Sequence, residues 1–252
     1  MAWLHIDKLS RERSRNAVLN ALKTLPSGLD KAYDEVMTRI SSQSDIDSDL
    51  AQKVLGWITY AKQPLKAKAL QHAVAIMPAM DNLDNGDLIA IEELIAVCAG
   101  MVTIDAESDT VRLVHYTTQK YLQTRLNHVK VDIASGSLAY LALKVFCAPC
   151  LKTENLEDRL RAYPFASYAA TYWCEHLRGE LENDLKDTCL HVFSTQGRRD
   201  SVFEIRNYST HWSDESNDAA GSSLLHVVAA SGLAILCRCL LDQGCPAYVL
   251  EY

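Results

Sequence analysis

The sequence predicts a mainly α-helical protein with a single β-hairpin, on the basis of three observations. Apolar residues recur at helical spacing through most of the 252 residues. One short region, 101–115, instead carries two β-branched runs around a polar loop. Only 10 Gly and 6 Pro interrupt the chain, and 48% of its residues are hydrophobic. This composition is typical of a globular protein and excludes a wholly disordered or collagen-like one.

The first two predicted helices flank a polar stretch. Residues 29–40 place four apolar side chains on one helical face, just after a Pro-Ser-Gly turn. Residues 50–61 form a second apolar stripe after the acidic stretch 41–49. Pro64 is predicted to close the second helix, because proline cannot continue a helical hydrogen-bond pattern. Both stripes must be buried against other elements.

Two shorter helices and the hairpin follow. A third helix is predicted from about residue 66 to residue 76, and a fourth from Asp87, as its N-cap, to a stop at Gly100. The runs MVTID (101–105) and VRLVH (111–115) then alternate apolar and polar residues, with a five-residue loop between them. These runs are the only convincing pair of strands in the sequence.

Helical spacing resumes after the hairpin, first over residues 116–125 and then through residues 129–220. Three helices, a hairpin and a further helix over residues 46–128 make up the element order of a winged helix, a variant of helix-turn-helix architecture. We therefore expect a winged-helix domain at 46–128, a helical segment before it at 1–45 and a helical-pair region after it.

The last segment, 221–252, has the pattern of a partial ankyrin repeat. Residues 222–249 contain Leu-His, Ala-Ala, Gly, Leu-Leu and a second Gly in the order of that repeat of about 33 residues. Ser223 and Leu224 stand where Thr-Pro is usual, and residues 245–248 replace the usual final turn. Because about three repeats are needed for a stable stack, we expect the chain to be a fragment.

Six blocks of the sequence resemble the region after the NTPase in fungal NACHT–ankyrin proteins, members of the STAND class of P-loop ATPases. The blocks are LPSGLDKAYDEVMTRI (25–40), VLGWITYAKQPLKAKALQHAVAI (54–76), IEELIAVCAGMVTID (91–105), VRLVHYTTQKYL (111–122), YAATYWCEHL (168–177) and the ankyrin-like end. The winged helix of that family carries the name of GPI inositol-deacylase, which names a shared module and not deacylase chemistry. The resemblance implies that 1–45 is a helical lid or linker following a NACHT ATPase that lies outside this chain.

His115 is the candidate nucleotide-sensing residue. It ends the second predicted strand and precedes a helix, in the motif HYTTQKYL. In the resembling family, a histidine at this place contacts the β-phosphate of bound ADP and holds the closed state, and an imidazole N–H can donate to a phosphate oxygen. The alternative is a structural histidine that is hydrogen-bonded to the backbone. Lys120 departs from the acidic residue common at that point of the motif.

No catalytic residues are expected, and the chain is not predicted to be an enzyme. None of the ten Gly precedes a Lys, so the phosphate-binding loop of an ATPase is absent from the sequence. The stretch 221–225 lacks the second Gly of a serine hydrolase nucleophile elbow. ATP or ADP is therefore expected only with the ATPase domain, and no cofactor is expected in this chain.

No metal site is expected. Cys147 and Cys150 form a C-x-x-C pair with no second pair at zinc spacing, which favours buried core cysteines over a zinc or redox site. The stretch 81–92 resembles a calcium loop, but Leu83 stands in a ligand position, which favours a capping linker. Two Cys-x-His pairs point to opposite sides of their helices: Cys174 with His176, and Cys189 with His191. The cluster Tyr163, Phe165, Tyr168, Tyr172 and Trp173 is interpreted as core packing and not as a ligand cage.

Charge argues against nucleic acid as a partner. The net charge is −7. Between Lys68 and Arg112 there are eight acidic residues and no Lys or Arg, in the region that would enter the groove of a duplex. Arg11, Arg13, Arg15 and Lys23 give the N-terminal segment a basic face, either solvated or in contact with the ATPase. No apolar run is long enough to cross a membrane, and the eight Cys suggest reduced thiols, so the cytoplasm is expected.

The leading functional hypothesis is a noncatalytic segment that couples the nucleotide state of a NACHT ATPase to protein-recognition repeats. Its partners would be that ATPase domain, within the same chain, and an unknown protein bound by ankyrin repeats. The alternative is a stand-alone protein-binding scaffold with no nucleotide role. A third hypothesis, a DNA-binding regulator, conflicts with the acidic window.

Overall fold

The structure is a computed structural model that describes residues 14–16, 29–210 and 223–244. The predicted basic face of the N-terminal segment, apart from Arg15, lies outside the described residues, as do the start and end of the predicted 221–252 segment. The chain divides into two compact units. One comprises residues up to Val74 with Ile89–Val129, and the other comprises Ala75–Leu88 with residues from Lys130 onward.

The first unit contains the predicted helices and hairpin. Its elements are α1 (Leu29–Ser41), α2 (Asp45–Tyr60), α3 (Ala67–Ala75), α4 (Ile91–Ala96), β1 (Val102–Asp105), β2 (Thr110–Leu113) and α5 (Tyr116–Arg125), followed by a 3-10 turn at Asn127–Val129. Among the described residues, the two strands form one antiparallel sheet. The predicted fold class is therefore confirmed: a mainly α winged helix with one hairpin, followed by a helical array.

Two predicted helix starts need correction. Helix α2 begins inside the stretch predicted as a polar separator, because the Ser44 side chain caps it by accepting from the Asp47 N–H at 3.2 Å. Asp87 is not the N-cap of α4. That position is Ala90, which makes no side-chain capping bond. Asp87 instead forms a reciprocal capping box with Asp84 around a separate 3-10 turn.

The residues just before α3 pair with the edge of the hairpin. In the β1–β2 ladder, Val102 lies opposite Leu113, and a four-residue loop connects the strands. Lys66 forms an isolated antiparallel bridge with Thr110. The Val111 N–H donates to the Leu65 carbonyl at 2.9 Å. Thus the residues just before α3 close the sheet against the second strand, although no alternating pattern in the sequence marks them as a strand.

The core of the first unit takes fully buried side chains from α1, α2, α3, α4 and α5 and from the residue just before β1. Those with no exposed surface include Ile40, Val54, Leu55, Leu70, Leu94, Met101 and Leu122. At about 25 cal/mol per Å² of apolar surface removed from water, this shared core supplies most of the stabilisation that short helices cannot supply themselves.

The second unit is a helical array. Its helices are α6 (Lys130–Ala142), α7 (Thr153–Ala162), α8 (Ala166–Leu177), α9 (Glu180–Val192), α10 (Gln196–Ser209), α11 (Leu224–Ala230) and α12 (Ala234–Asp242), with 3-10 turns at Asn85–Asp87 and Lys144–Phe146. Helix α6 ends before the predicted helical residues Val145 and Phe146, which lie in the second of these turns. The aromatic cluster packs as core: Phe165 meets Tyr140 edge to face at 5.0 Å, and Trp173 lies 4.7 Å from Phe193.

Helices α11 and α12 form the helical pair that the sequence assigns to an ankyrin-like repeat. Two side chains of the array hold the turn between them. The Arg178 guanidinium donates to the Ser231 carbonyl through Nε at 3.0 Å and Nη2 at 2.6 Å. The buried Glu182 carboxylate accepts from the Leu236 N–H at 2.8 Å. A cation at the end of α11 and an anion at the start of α12 both complement the helix dipoles.

Candidate functional site

His115 occupies the N-cap position of helix α5. Its backbone is extended, with φ −147° and ψ 142°, and its ring Nδ1 accepts from the Thr117 N–H at 3.2 Å. This bond satisfies one of the amide groups that every helix start leaves without a helical partner. Histidine thus does here what Ser, Thr, Asp or Asn usually does at such a position. The structural alternative predicted that this histidine is hydrogen-bonded to the backbone. Such a bond is present at Nδ1.

A chain of hydroxyl groups leads from α1 to the same ring nitrogen. Thr117 Oγ1 lies 2.7 Å from His115 Nδ1, and the Tyr33 hydroxyl lies 2.7 Å from Thr117 Oγ1. Thr118 Oγ1 donates to the Tyr33 hydroxyl at 3.1 Å. The Thr117 N–H donates to Nδ1, so this nitrogen carries no proton and accepts from the Thr117 hydroxyl. Because the Thr117 hydroxyl has a single proton, its oxygen in turn accepts from Tyr33.

These donors fix the tautomer of the neutral His115 ring. With Nδ1 acting as acceptor, the ring proton sits on Nε2. No hydrogen-bond partner of Nε2 is present among the described residues. The ring is half-buried and stacks on Tyr116, a neighbour that is 82% exposed, at 4.7 Å. The site therefore offers one oriented N–H donor, which is suited to an anionic oxygen.

Helix α1 holds the winged helix at two places. Beside Tyr33, the Asp34 carboxylate accepts from the Tyr121 hydroxyl at 2.6 Å and from Arg125 at 2.8 Å. Burial, and then the bond to Asp34, raises the pKa of Tyr121 to about 12. Past the other end of α1, the Gln43 side chain donates to the Val97 carbonyl at 2.9 Å, just after α4. Contacts from this one region thus reach both α5 and the end of α4.

The hairpin and α4 present acidic side chains. Glu92 and Glu93 are exposed on α4, and the exposed Arg112 is paired with Asp105 at 2.7 Å. The Ser108 backbone and hydroxyl donate to Asp105 and hold the pKa of that carboxyl below its ordinary value, with a further contribution from Arg112. These carboxylates have the same sign of charge as a phosphate backbone, whereas nonspecific affinity for nucleic acid comes chiefly from Lys and Arg.

The C-x-x-C pair lies in an ordered loop, but the prediction that both cysteines belong to the core is wrong for Cys147. That thiol is exposed, and Cys150 is half-buried. The Glu204 carboxylate fixes the loop by accepting from the Cys150 N–H at 2.8 Å and the Leu151 N–H at 3.1 Å.

The other candidate ligand residues have structural contacts. Cys174 and Cys189 are buried, and burial raises the pKa of the Cys174 thiol to about 12. The His176 ring contacts the Tyr168 hydroxyl at 2.7 Å. Asp81, in the stretch that resembled a calcium loop, pairs with Lys144 at 2.6 Å. Within the described ranges, no three His, Cys, Asp or Glu side chains are grouped closely enough to hold a metal ion.

Sequence reasoning named His115 as the candidate residue but did not name Tyr33 and Thr117 as its contacts. The apolar spacing of α1 predicted that Tyr33 is buried, which is correct. Its partner Thr117 lies 84 positions further along the chain, and helical periodicity carries no information about contacts at that distance. A possible signal was the hydroxyl on a residue predicted to be buried, since such a group needs a hydrogen-bond partner.

None of the helices in the described part of the chain is both long enough and apolar enough to span a membrane.

Comparison with known proteins gives matches to part of the chain. Residues 37–134 match the family model described as "GPI inositol-deacylase, winged helix domain". The chain is also 27% identical over 191 residues to "Azaphilone pigments biosynthesis cluster protein L" of Monascus ruber, an alignment that covers 69% of this chain and 40% of that protein. No solved structure matches the chain significantly. The matched residues contain α2 through α5, the hairpin and His115, so residues 37–134 are a winged-helix domain similar to that of GPI inositol-deacylase.

Proposed function

We propose that this chain is a noncatalytic regulatory and interaction segment of a NACHT-type signalling ATPase. The winged helix would report whether ADP or ATP is bound, and the helices after it would carry that state to protein-recognition repeats. The observation that carries the proposal is the Nε2–H of His115, which is fixed at the N-cap of α5 and has no partner among the described residues.

The geometry of His115 supports a phosphate oxygen as its acceptor. An imidazole N–H can donate a charge-assisted bond to such an oxygen, and the ring is already oriented by the two donors at Nδ1. A bond made in one nucleotide state and lost in the other would shift the balance between docked and released positions of the winged helix. ATP and ADP would be held by the ATPase domain, with His115 as the sensing contact from this chain.

The remaining parts of the proposal concern partners and place of action. The ATPase domain is the intramolecular partner. An unidentified protein would bind the ankyrin-like helices α11 and α12 together with further repeats. The acidic surface of α4 and the hairpin supports packing against protein over binding to nucleic acid. We place the protein in the cytoplasm and assign no reaction to this chain alone.

The second candidate is a stand-alone protein-binding scaffold. One observation favours it: the helix cap made by His115 Nδ1 is by itself a sufficient structural use for the residue. In that account, Nε2 meets only water, and the winged helix and the ankyrin-like helices bind protein partners without any nucleotide.

The complete transcript separates the two candidates. The chain spans about 40% of the length of the relative it matches. The nucleotide account predicts a Gly-x-x-x-x-Gly-Lys-Ser/Thr motif in frame upstream and further ankyrin repeats downstream. A transcript that encodes neither would contradict the nucleotide account and favour the scaffold.

A further inference from the structure

We propose that Tyr33 is a positioning residue for His115, and that docking of helix α1 on α5 fixes the ring that donates from Nε2. This inference deepens the proposed function, because it says what controls the sensing contact. The tautomer itself is a property of this chain and can be measured without any nucleotide.

The argument begins with burial. Tyr33 is 1% exposed and Thr118 is fully buried, so their hydroxyls cannot exchange partners with bulk water. A buried hydroxyl without a partner costs free energy, which makes the bonds Thr118 to Tyr33 and Tyr33 to Thr117 effectively obligatory in the folded state.

The second step is direction. The Thr117 N–H makes Nδ1 an acceptor, so the Thr117 hydroxyl proton goes to His115 Nδ1 and the Tyr33 proton goes to Thr117 Oγ1. Thr118 donates to the Tyr33 oxygen. Hydrogen bonds linked in this way polarise one another and strengthen the last acceptor contact. Reversing the final bond would set a ring N–H against the Thr117 N–H, which points at the same nitrogen at 3.2 Å.

The third step is the location of Tyr33. It belongs to α1, whereas Thr117, Thr118 and His115 belong to the start of α5. If α1 moves away from α5, the Thr117 hydroxyl loses its outside donor and is free to rotate. The His115 ring is then held only by its hydrogen bond from the Thr117 N–H. The ring orientation therefore depends on a helix that precedes most of the winged-helix domain.

The interface supplies a matched control. Tyr121 packs on Tyr33 at 5.0 Å between ring centroids, and its hydroxyl donates to Asp34, also on α1. Tyr33→Phe removes the two hydroxyl bonds that Tyr33 makes to Thr117 and Thr118, and Tyr121→Phe removes the bond that Tyr121 makes to Asp34. Only the first removal interrupts the chain of hydroxyls that ends at His115.

The experiment measures the His115 ring nitrogens in the ¹⁵N-labelled chain by long-range ¹H–¹⁵N NMR at about pH 9, where imidazole rings are in general neutral. The His115→Asn spectrum identifies the resonances. In the unsubstituted chain we expect protonated Nε2 and hydrogen-bonded Nδ1. Tyr33→Phe should move the Nδ1 shift toward that of an imidazole nitrogen without a bond, and Tyr121→Phe should leave it in place.

A double-mutant cycle gives the size of the effect. Tyr33→Phe combined with His115→Asn should depart from additivity by about fivefold in the folding equilibrium constant, the value of one ordinary hydrogen bond, whereas Tyr121→Phe with His115→Asn should be additive. Thr117→Val cuts the same chain and serves as a second variant should Tyr33→Phe fail to fold.

Unchanged Nδ1 shifts in Tyr33→Phe and Thr117→Val, or an equal shift in Tyr121→Phe, would overturn the inference. Failure of the proposed function looks different. In that case the Nδ1 shift moves as expected, but in a protein with an upstream P-loop neither His115→Asn nor Tyr33→Phe alters the release of ADP.

Discussion

Replacing Trp173 by alanine is expected to lower the free energy of unfolding of the helical array by about 3–5 kcal/mol. The Trp173 ring is 1% exposed in α8 and packs at 4.7 Å on the ring of Phe193. Removal of the indole leaves a cavity that rigid helices on all sides cannot fill. Urea unfolding followed by circular dichroism measures the change, and a loss of this size leaves little stability in a typical domain.

Trp173→Phe is the matched control, because it keeps an aromatic ring against Phe193 while removing part of the volume. The decrease in the free energy of unfolding for Trp173→Phe should be less than half of the decrease for Trp173→Ala. Equal stability of Trp173→Ala and the unsubstituted protein would show that α8 does not pack as described.

Leu94→Ala is expected to cost about 2–5 kcal/mol and to detach helix α4 from the winged-helix core. Helix α4 has six residues and no side-chain N-cap, and Leu94 is its one buried residue. A helix of this length is unstable on its own. Its order therefore comes from Leu94, and amide hydrogen exchange across residues 91–96 should rise to the rate of an open segment.

Ile95→Ala removes a side chain of the same size from the next position, where the residue is only half-buried. We expect Ile95→Ala to lower the free energy of unfolding by less than half as much as Leu94→Ala. The amides of α4 should remain protected from exchange in Ile95→Ala. Protection of α4 that survives Leu94→Ala would contradict the view that this helix depends on a single anchor.

The sequence predicted those elements whose evidence is local. Helix α5 was expected over residues 116–125, where helical spacing resumes after the hairpin, and it has these bounds. The hairpin was likewise expected, since two short β-branched runs around a polar loop have few other folded arrangements.

Elements that depend on distant partners could not be predicted. The bridge between Lys66 and Thr110 is a single pair and leaves no periodic pattern. Asp87 looked like a helix cap, but it bonds back to the Asp84 N–H at 2.9 Å, so the two residues close a turn of their own. Local capping preference cannot decide between these two uses of one aspartate.

The candidate site was predicted in part. His115 was identified from its motif and its place between a strand and a helix, and it is the N-cap of α5. The positions of Tyr33 and Thr117 show that Nδ1 accepts hydrogen bonds and that Nε2 carries the proton. The sequence alone does not give these positions. The chemistry of the site is thus a property of the fold and not of the motif alone.

The most direct test of the nucleotide account is the rate of ADP release from the full-length protein, provided that it carries an upstream P-loop. His115→Asn keeps a helix-capping side chain at this position while removing the imidazole, and His128→Asn changes an exposed histidine that contacts Gln52 at 3.1 Å. We expect ADP to leave His115→Asn roughly tenfold to hundredfold faster, as for a lost bond to a charged group, and the His128→Asn rate to stay unchanged. Equal release from His115→Asn and the unsubstituted protein would contradict the account.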